Sequence, residues 1–142
     1  MIKVLFVCIH NSARSQMAEA FFNHYATDSL AQSAGITPGS INAYVVEAMK
    51  EKGFDLSTNV AKSVFDLYKE GQTYSHIIAV CDEASQKCPI FPGFHKRMAW
   101  SFPDPSQLQG TKEEIMQEIR TIRDSIETQV QELLMSIGES QP

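Results

Sequence analysis

The sequence predicts an α/β protein of one domain: a central, mostly parallel four-stranded sheet, helices on both faces, and a long helix near the C-terminal end. Three observations carry this prediction. Short apolar runs alternate with stretches of helical period, and strands that alternate with helices pair in parallel and are covered on both faces. The chain has 142 residues, enough for one real hydrophobic core. Its last third holds one sustained amphipathic period.

The elements follow in order. Ile2 to Cys8 is an apolar, β-rich run that suits a strand buried on both faces. A helix is expected from about Ser12 to Tyr25, with Met17, Ala20, Phe21 and His24 at helical spacing. "SLAQSAGITPGS" reads as a second strand and a turn marked by Gly35, Pro38 and Gly39. "INAYVVEAMKEKGF" reads as a helix stopped at Gly53, with Val45, Val46 and Met49 facing inward. A short helix spans Ser63 to Lys69, and "YSHIIAVC" is a buried strand ending in Cys81. "RMAWSF" is the last strand, and "PDPSQ" is a turn. From Lys112 to Ile137, the apolar residues Ile115, Ile119, Ile122, Ile126, Val130 and Leu133 step by three or four. That helix is expected to cover this protein's own sheet rather than a partner.

Composition excludes several classes. Hydrophobic residues make up 43% and charged ones 20%, and the formal net charge is −5. An acidic balance argues against a general binder of nucleic acid or anionic membranes, since both need a basic field. No apolar stretch approaches the length of a membrane span, and the start lacks a secretory pattern. A cytoplasmic monomer is the expectation, and thiols there stay reduced. The three cysteines, Cys8, Cys81 and Cys88, make a poor disulfide framework and point to redox, metal or catalytic use.

In open parallel sheets the site lies beyond the carboxyl ends of the strands. Cys8, Cys81 and Asp104 all fall at or just after such ends. "CIHNSARS" places Cys8 just before a helix N-terminus, a position that stabilises a thiolate. The backbone N–H groups of Ile9, His10, Asn11, Ser12, Ala13, Arg14 and Ser15 are expected to ring an oxyanion. Arg14 adds a planar fork suited to a tetrahedral oxyanion, and Ser15 is placed to donate to the sulfur. The loop lacks glycine, and Asn11 is the residue that best tolerates the left-handed bend it needs. His10 is expected to shape the loop without reacting.

"VCIHNSARSQMAEA" resembles the signature loop of the low-molecular-weight tyrosine phosphatase family, in the variant used by thioredoxin-coupled arsenate reductases. The resemblance continues in "QSAG", "AMKEKGFDLS" and the late "DP" pair. Phosphatases of this fold usually place proline after the Arg–Ser pair and a second cysteine within the loop. Here Gln16 follows Ser15 and Ala13 precedes Arg14, and both departures lean toward the reductase.

The resemblance implies roles for the remaining residues. Asp104, stiffened between two prolines in "FPDPS", matches the general acid, so burial or a nearby anion is expected to raise its pKa. Cys81 and Cys88 have six residues between them, too wide for a C-x-x-C motif, and the four histidines are too scattered to complete a zinc site. No resident metal or cofactor is therefore expected. The resemblance instead implies a relay: Cys8 attacks arsenate, Cys81 attacks Cys8, and Cys88 attacks Cys81. Residues 81–89 then form a mobile redox segment, helical when reduced, and reduced thioredoxin is the electron donor. Some relatives hold a potassium ion near residues matching Asn11, Glu19 and Ser33, but Lys62 stands where they place a further carboxylate. Two rivals remain: a tyrosine phosphatase with Cys81 and Cys88 as bystanders, and a non-catalytic oxyanion or redox sensor.

Overall fold

The computed structural model of the chain describes residues 2–139, so residue 1 and residues 140–142 of the expected single domain lie outside the described residues. Strand β1 (Lys3–Cys8) is buried from Val4 onward, as a run without polar alternation requires. It lies at the centre of a sheet ordered β2-β1-β3-β4, with β2 (Leu30–Gly35), β3 (His76–Ala79) and β4 (Lys96–Ala99). Every pairing is parallel. The order reverses between β1 and β3, so the crevice beyond their carboxyl ends lies next to Cys8.

Strand alternation sorts the core into two faces. On one, Phe6 meets Phe22 of helix α1 (Arg14–Tyr25) edge-on at 6.1 Å and Trp100 at 5.7 Å. Helix α5 (Lys112–Ser136) packs on α1 and on α2 (Ala43–Lys50) through buried Met116, Ile119, Ile122, Ile126, Val130, Leu133 and Leu134. The long helix thus covers its own domain. Helix α4 (Asp82–Lys87) covers β1 and β3 on the opposite face, and α3 (Val64–Lys69) lies against β2. Among the described residues no helix is long and apolar enough to cross a membrane.

Several boundaries differ from expectation for local reasons. Helix α1 starts at Arg14, not Ser12, because the Ser12 carbonyl accepts from Asn42 N at 2.9 Å and Ala13 is not helical. Its buried stripe is Met17, Ala18, Phe21 and Phe22, whereas Ala20 is half-buried and His24 exposed. Packing on both the sheet and α5 turns that stripe. Helix α2 ends at Lys50, and a turn through Gly53 (φ 88°) returns the Gly53 and Phe54 amides to Lys50 and Met49. Strand β3 stops at Ala79, and Cys81 is the residue that caps α4. Strand β4 begins one residue early, at Lys96, and Ser101 and Phe102 leave the sheet toward Arg14.

Candidate active site

Strand β1 delivers Cys8, 3% exposed, to the sheet's rim, and the chain then turns through residues 9–13 into α1. Asn11 takes φ 52°, the one positive φ outside glycine among the described residues. That is the left-handed bend expected of it. The loop presses against the end of β2 at Gly35, where an added Cβ would lie 2.7 Å from Asn11 N and 2.8 Å from Ile9 O. Only glycine permits this approach.

Hydrogen bonds around Asn11 have fixed directions. Its Oδ1 accepts from Lys62 N (2.9 Å) and Gln16 Nε2 (3.0 Å), which orients the carboxamide. Its Nδ2 therefore donates twice, to Ser15 Oγ at 2.8 Å and Ser33 Oγ at 2.9 Å. Ser33 donates to Glu19 Oε1 at 2.6 Å, and Ser15 Oγ lies 2.9 Å from Cys8 Sγ, to which it donates when the sulfur is a thiolate. The Asn11 N–H also points at the sulfur, 3.1 Å away. Two donors converge on Cys8, the arrangement that suits an anionic sulfur.

Arg14, at the first turn of α1, is 9% exposed and donates Nη1 to the Phe102 carbonyl at 3.0 Å. Its Nη2 lies 3.8 Å from Asp104 Oδ2. Burial pushes the Asp104 carboxyl up, but donation from the Ser106 amide and hydroxyl outweighs it, helped by Arg14 and His10. The net pKa lies below the ordinary carboxylate value, so burial by itself does not raise it: the Ser106 hydrogen bonds, and after them the Arg14 charge, prevail.

The structure holds three buried free thiols. Cys81 caps α4 without a side-chain hydrogen bond to the helix, and it lies close enough to Cys8 and Arg14 to feel both charges. Burial still pushes its pKa up. Cys88, at the far end of α4, is not gathered with them. It lines a cavity of about 140 Å³ on the Val7 face of the sheet.

Cys8, Arg14, Ser15, Asn11, Cys81 and Asp104 thus meet at one rim. Within the loop, the Ile9 carbonyl accepts from Thr37 N at 2.7 Å, Ser12 is tied to α2, and Ala13 is buried ahead of α1. The His10 ring turns aside, donating Nδ1 to the Thr37 carbonyl at 2.9 Å and lying over Gly39. Sequence reasoning missed Gly35 as a steric requirement, Gln16 as a support, and the Phe102 carbonyl as Arg14's anchor. The "QSAG" strand end was a signal for the first; a main-chain carbonyl leaves none. The potassium-site residues do not fit a cation, because the Lys62 ammonium stands 3.9 Å from Glu19 Oε1. Among the described residues no group of three His, Cys, Asp or Glu side chains forms a metal site.

Comparison with known proteins adds four findings. Residues 3–142 match the family described as low molecular weight phosphotyrosine protein phosphatase. An arsenate reductase of Shouchella clausii is 38% identical over 125 residues, covering 87% of this chain and 88% of the relative. One of Bacillus subtilis is 36% identical over 131 residues, covering 91% and 92%. Among solved structures, a thioredoxin-dependent arsenate reductase of Corynebacterium glutamicum superposes with a TM-score of 0.67 at 28% identity. It covers 96% of this chain and 62% of that one.

Proposed function

Because the chain belongs to the low molecular weight phosphotyrosine protein phosphatase family, and its relatives include arsenate reductases, we propose that it reduces arsenate to arsenite. The observation that carries this reading is the second thiol, Cys81, set beside Cys8 within the field of Arg14. A phosphatase needs one nucleophile; two-electron reduction needs a second thiol to take the first one's sulfur.

The Cys8 thiolate attacks arsenic, and the loop amides and Arg14 hold the oxygens. The incoming anion draws Arg14 from Asp104, so the carboxyl rises in pKa, takes a proton and delivers it to the departing hydroxyl, which leaves as water. Cys81 then attacks Cys8 sulfur. The S–S bond forms, the As–S bond breaks, and arsenic leaves as arsenite with the electron pair. Cys88 displaces Cys8 from Cys81, and reduced thioredoxin takes the Cys81–Cys88 disulfide. Residues 81–89 must give way for these thiols to meet, and six residues of helix hold few internal bonds against that. Arsenate and thioredoxin are the partners of this reading, with no resident cofactor, and a cytoplasmic monomer is its setting.

Arsenate turnover with thioredoxin, thioredoxin reductase and NADPH tests it. Wild type should cycle, Cys8→Ser should be inactive, and Cys88→Ser should stop after one turnover. Sustained cycling by Cys88→Ser would sink the relay, and unchanged activity of Cys8→Ser would favour a sensor. The family match supports a second, lesser activity on phosphate monoesters. It should survive Cys81→Ser and Cys88→Ser and vanish with Cys8→Ser.

A further inference from the structure

We propose that Arg97 is a positioning residue that readies Cys88 as the thiolate for the last exchange within the protein, a role that rests on the relay reading above. Strand register puts it there. Arg97 pairs with Ile77, and Ala99 with Ala79, so period-two alternation sets Val7, Ile77, Ala79, Arg97 and Ala99 on the face that α4 covers. Cys88 and Arg97 line the same cavity there. The Arg97 guanidinium donates Nη1 to the Pro89 carbonyl at 3.2 Å, the same oxygen to which the Cys88 thiol donates at 3.5 Å, so guanidinium and thiol meet over one acceptor.

The chemistry needs such a group. Cys88 is 9% exposed, and burial pushes its thiol up, with the Arg97 charge and hydrogen bond as the opposing influences. The wall that β1 and β3 present is apolar: Val7, Ile77 and Ala79. Arg97 is the charged residue that β4 turns toward it, and on α4 Lys87 precedes it in sequence. The Cys8 sulfur has the Ser15 and Asn11 groups beside it, whereas Cys88 has the guanidinium, which shares the Pro89 carbonyl with it. In the step served, Cys88 releases its proton to solvent and attacks Cys81 sulfur while the Arg97 charge stabilises the thiolate. The Cys81–Cys88 bond forms, the Cys8–Cys81 bond breaks, and Cys8 leaves as thiolate onto its two donors, with no net change in oxidation.

The test is site-resolved alkylation of the reduced full-length protein, read by peptide mass spectrometry from pH 6 to pH 10. In Arg97→Gln the midpoint for Cys88 should rise by about one pH unit, while Cys8 in the same sample keeps its profile. Arg97→Lys, which keeps the charge, should restore most of the shift. Thioredoxin-coupled turnover should fall only about three- to fourfold, because the less acidic thiol is also the better nucleophile. Arsenite release in the first turnover should not change. An unaltered Cys88 midpoint in Arg97→Gln overturns the proposal, even if the variant melts earlier, since a structural role alone predicts that result. Should Arg97→Gln not fold, wild type decides: 1 M salt should raise the Cys88 midpoint by screening the guanidinium, and no response overturns the role. Normal cycling by Cys88→Ser would instead remove the relay and leave the alkylation result standing by itself.

Discussion

Asn11 Nδ2 donates to Ser15 Oγ over 2.8 Å, and the same hydroxyl lies 2.9 Å from Cys8 Sγ, to which it donates when the sulfur is a thiolate. Removing it leaves the sulfur one donor short. Hydrogen bonds to charged groups contribute about 1.5–3 kcal/mol, so Ser15→Ala should lower kcat/KM for arsenate by roughly ten- to a hundredfold. Steady-state kinetics beside a thermal melt checks this; equal kcat/KM in both proteins would remove Ser15 from the chemistry.

Gly35 is the floor on which the loop rests. A Cβ there would meet the Asn11 nitrogen at 2.7 Å and the His10 carbonyl carbon at 2.8 Å, both main-chain atoms that have no flexible end to move. Gly35→Ala should cost roughly 1–3 kcal/mol of stability by overpacking and push the loop outward. Arsenate KM should rise while the circular dichroism spectrum stays native. An unchanged KM would mean that the loop tolerates the methyl.

The 3.8 Å pairing of Arg14 with Asp104 predicts coupled proton uptake. Burial favours a raised pKa, but Ser106 and Arg14 hold it below the ordinary value until an anion takes the arginine. Sulfate is a tetrahedral dianion that does not titrate near pH 5, so its binding there should be accompanied by proton uptake. Calorimetry in two buffers of different ionisation enthalpy measures it, and Asp104→Asn should abolish it. The same variant should lose about 10²–10⁴-fold in kcat, the usual contribution of a general acid.

Lys62 Nζ, 3.9 Å from Glu19 Oε1, brings a positive charge to the carboxylate that receives the Ser33 proton. Activity should accordingly be the same in potassium and sodium salts at equal ionic strength. A clear gain with potassium alone would show that a cation displaces the ammonium.

The Glu139 carboxylate accepts from the Ser29 hydroxyl, the Thr27 amide and hydroxyl and the Asp28 amide, holding its pKa down to about 2 against an ordinary 4.5. A depressed folded-state pKa gives stability that is complete above pH 4.5 and lost as pH falls from there toward 2. The groups are exposed, so the effect is small and screened by salt. Glu139→Gln should lower the neutral-pH Tm slightly and flatten the acid limb between pH 5 and pH 3. An acid limb as steep as that of wild type would show that Glu139 ties nothing down.

Much of this was legible in the sequence because it is local. Asn11 was identifiable as the bend, α4 as a polar helix between two thiols, and α5 as a cover for its own domain, since each depends on a few consecutive side chains. The errors have one common form. Strand β3 was read through to Cys81 because Val80 and Cys81 are as apolar as the strand itself, whereas the partner strand decides where pairing stops. Asp104 was expected to have a raised pKa because burial was weighed without the Ser106 amide and hydroxyl, and then the arginine, that outweigh it.

By itself, the sequence determined the order of strands and helices, the parallel sheet, and a cysteine at a strand end with a loop and a helix N-terminus behind it. Propensity and periodicity act over a few residues and need no partner. Only the tertiary structure decided which distant groups meet: Arg14 with Asp104, Asn11 with Ser33 and Lys62, and Arg97 with Cys88. Those pairings depend on strand register and on the face each side chain takes. The direction of each shared proton emerges only when every donor and acceptor around it is in place.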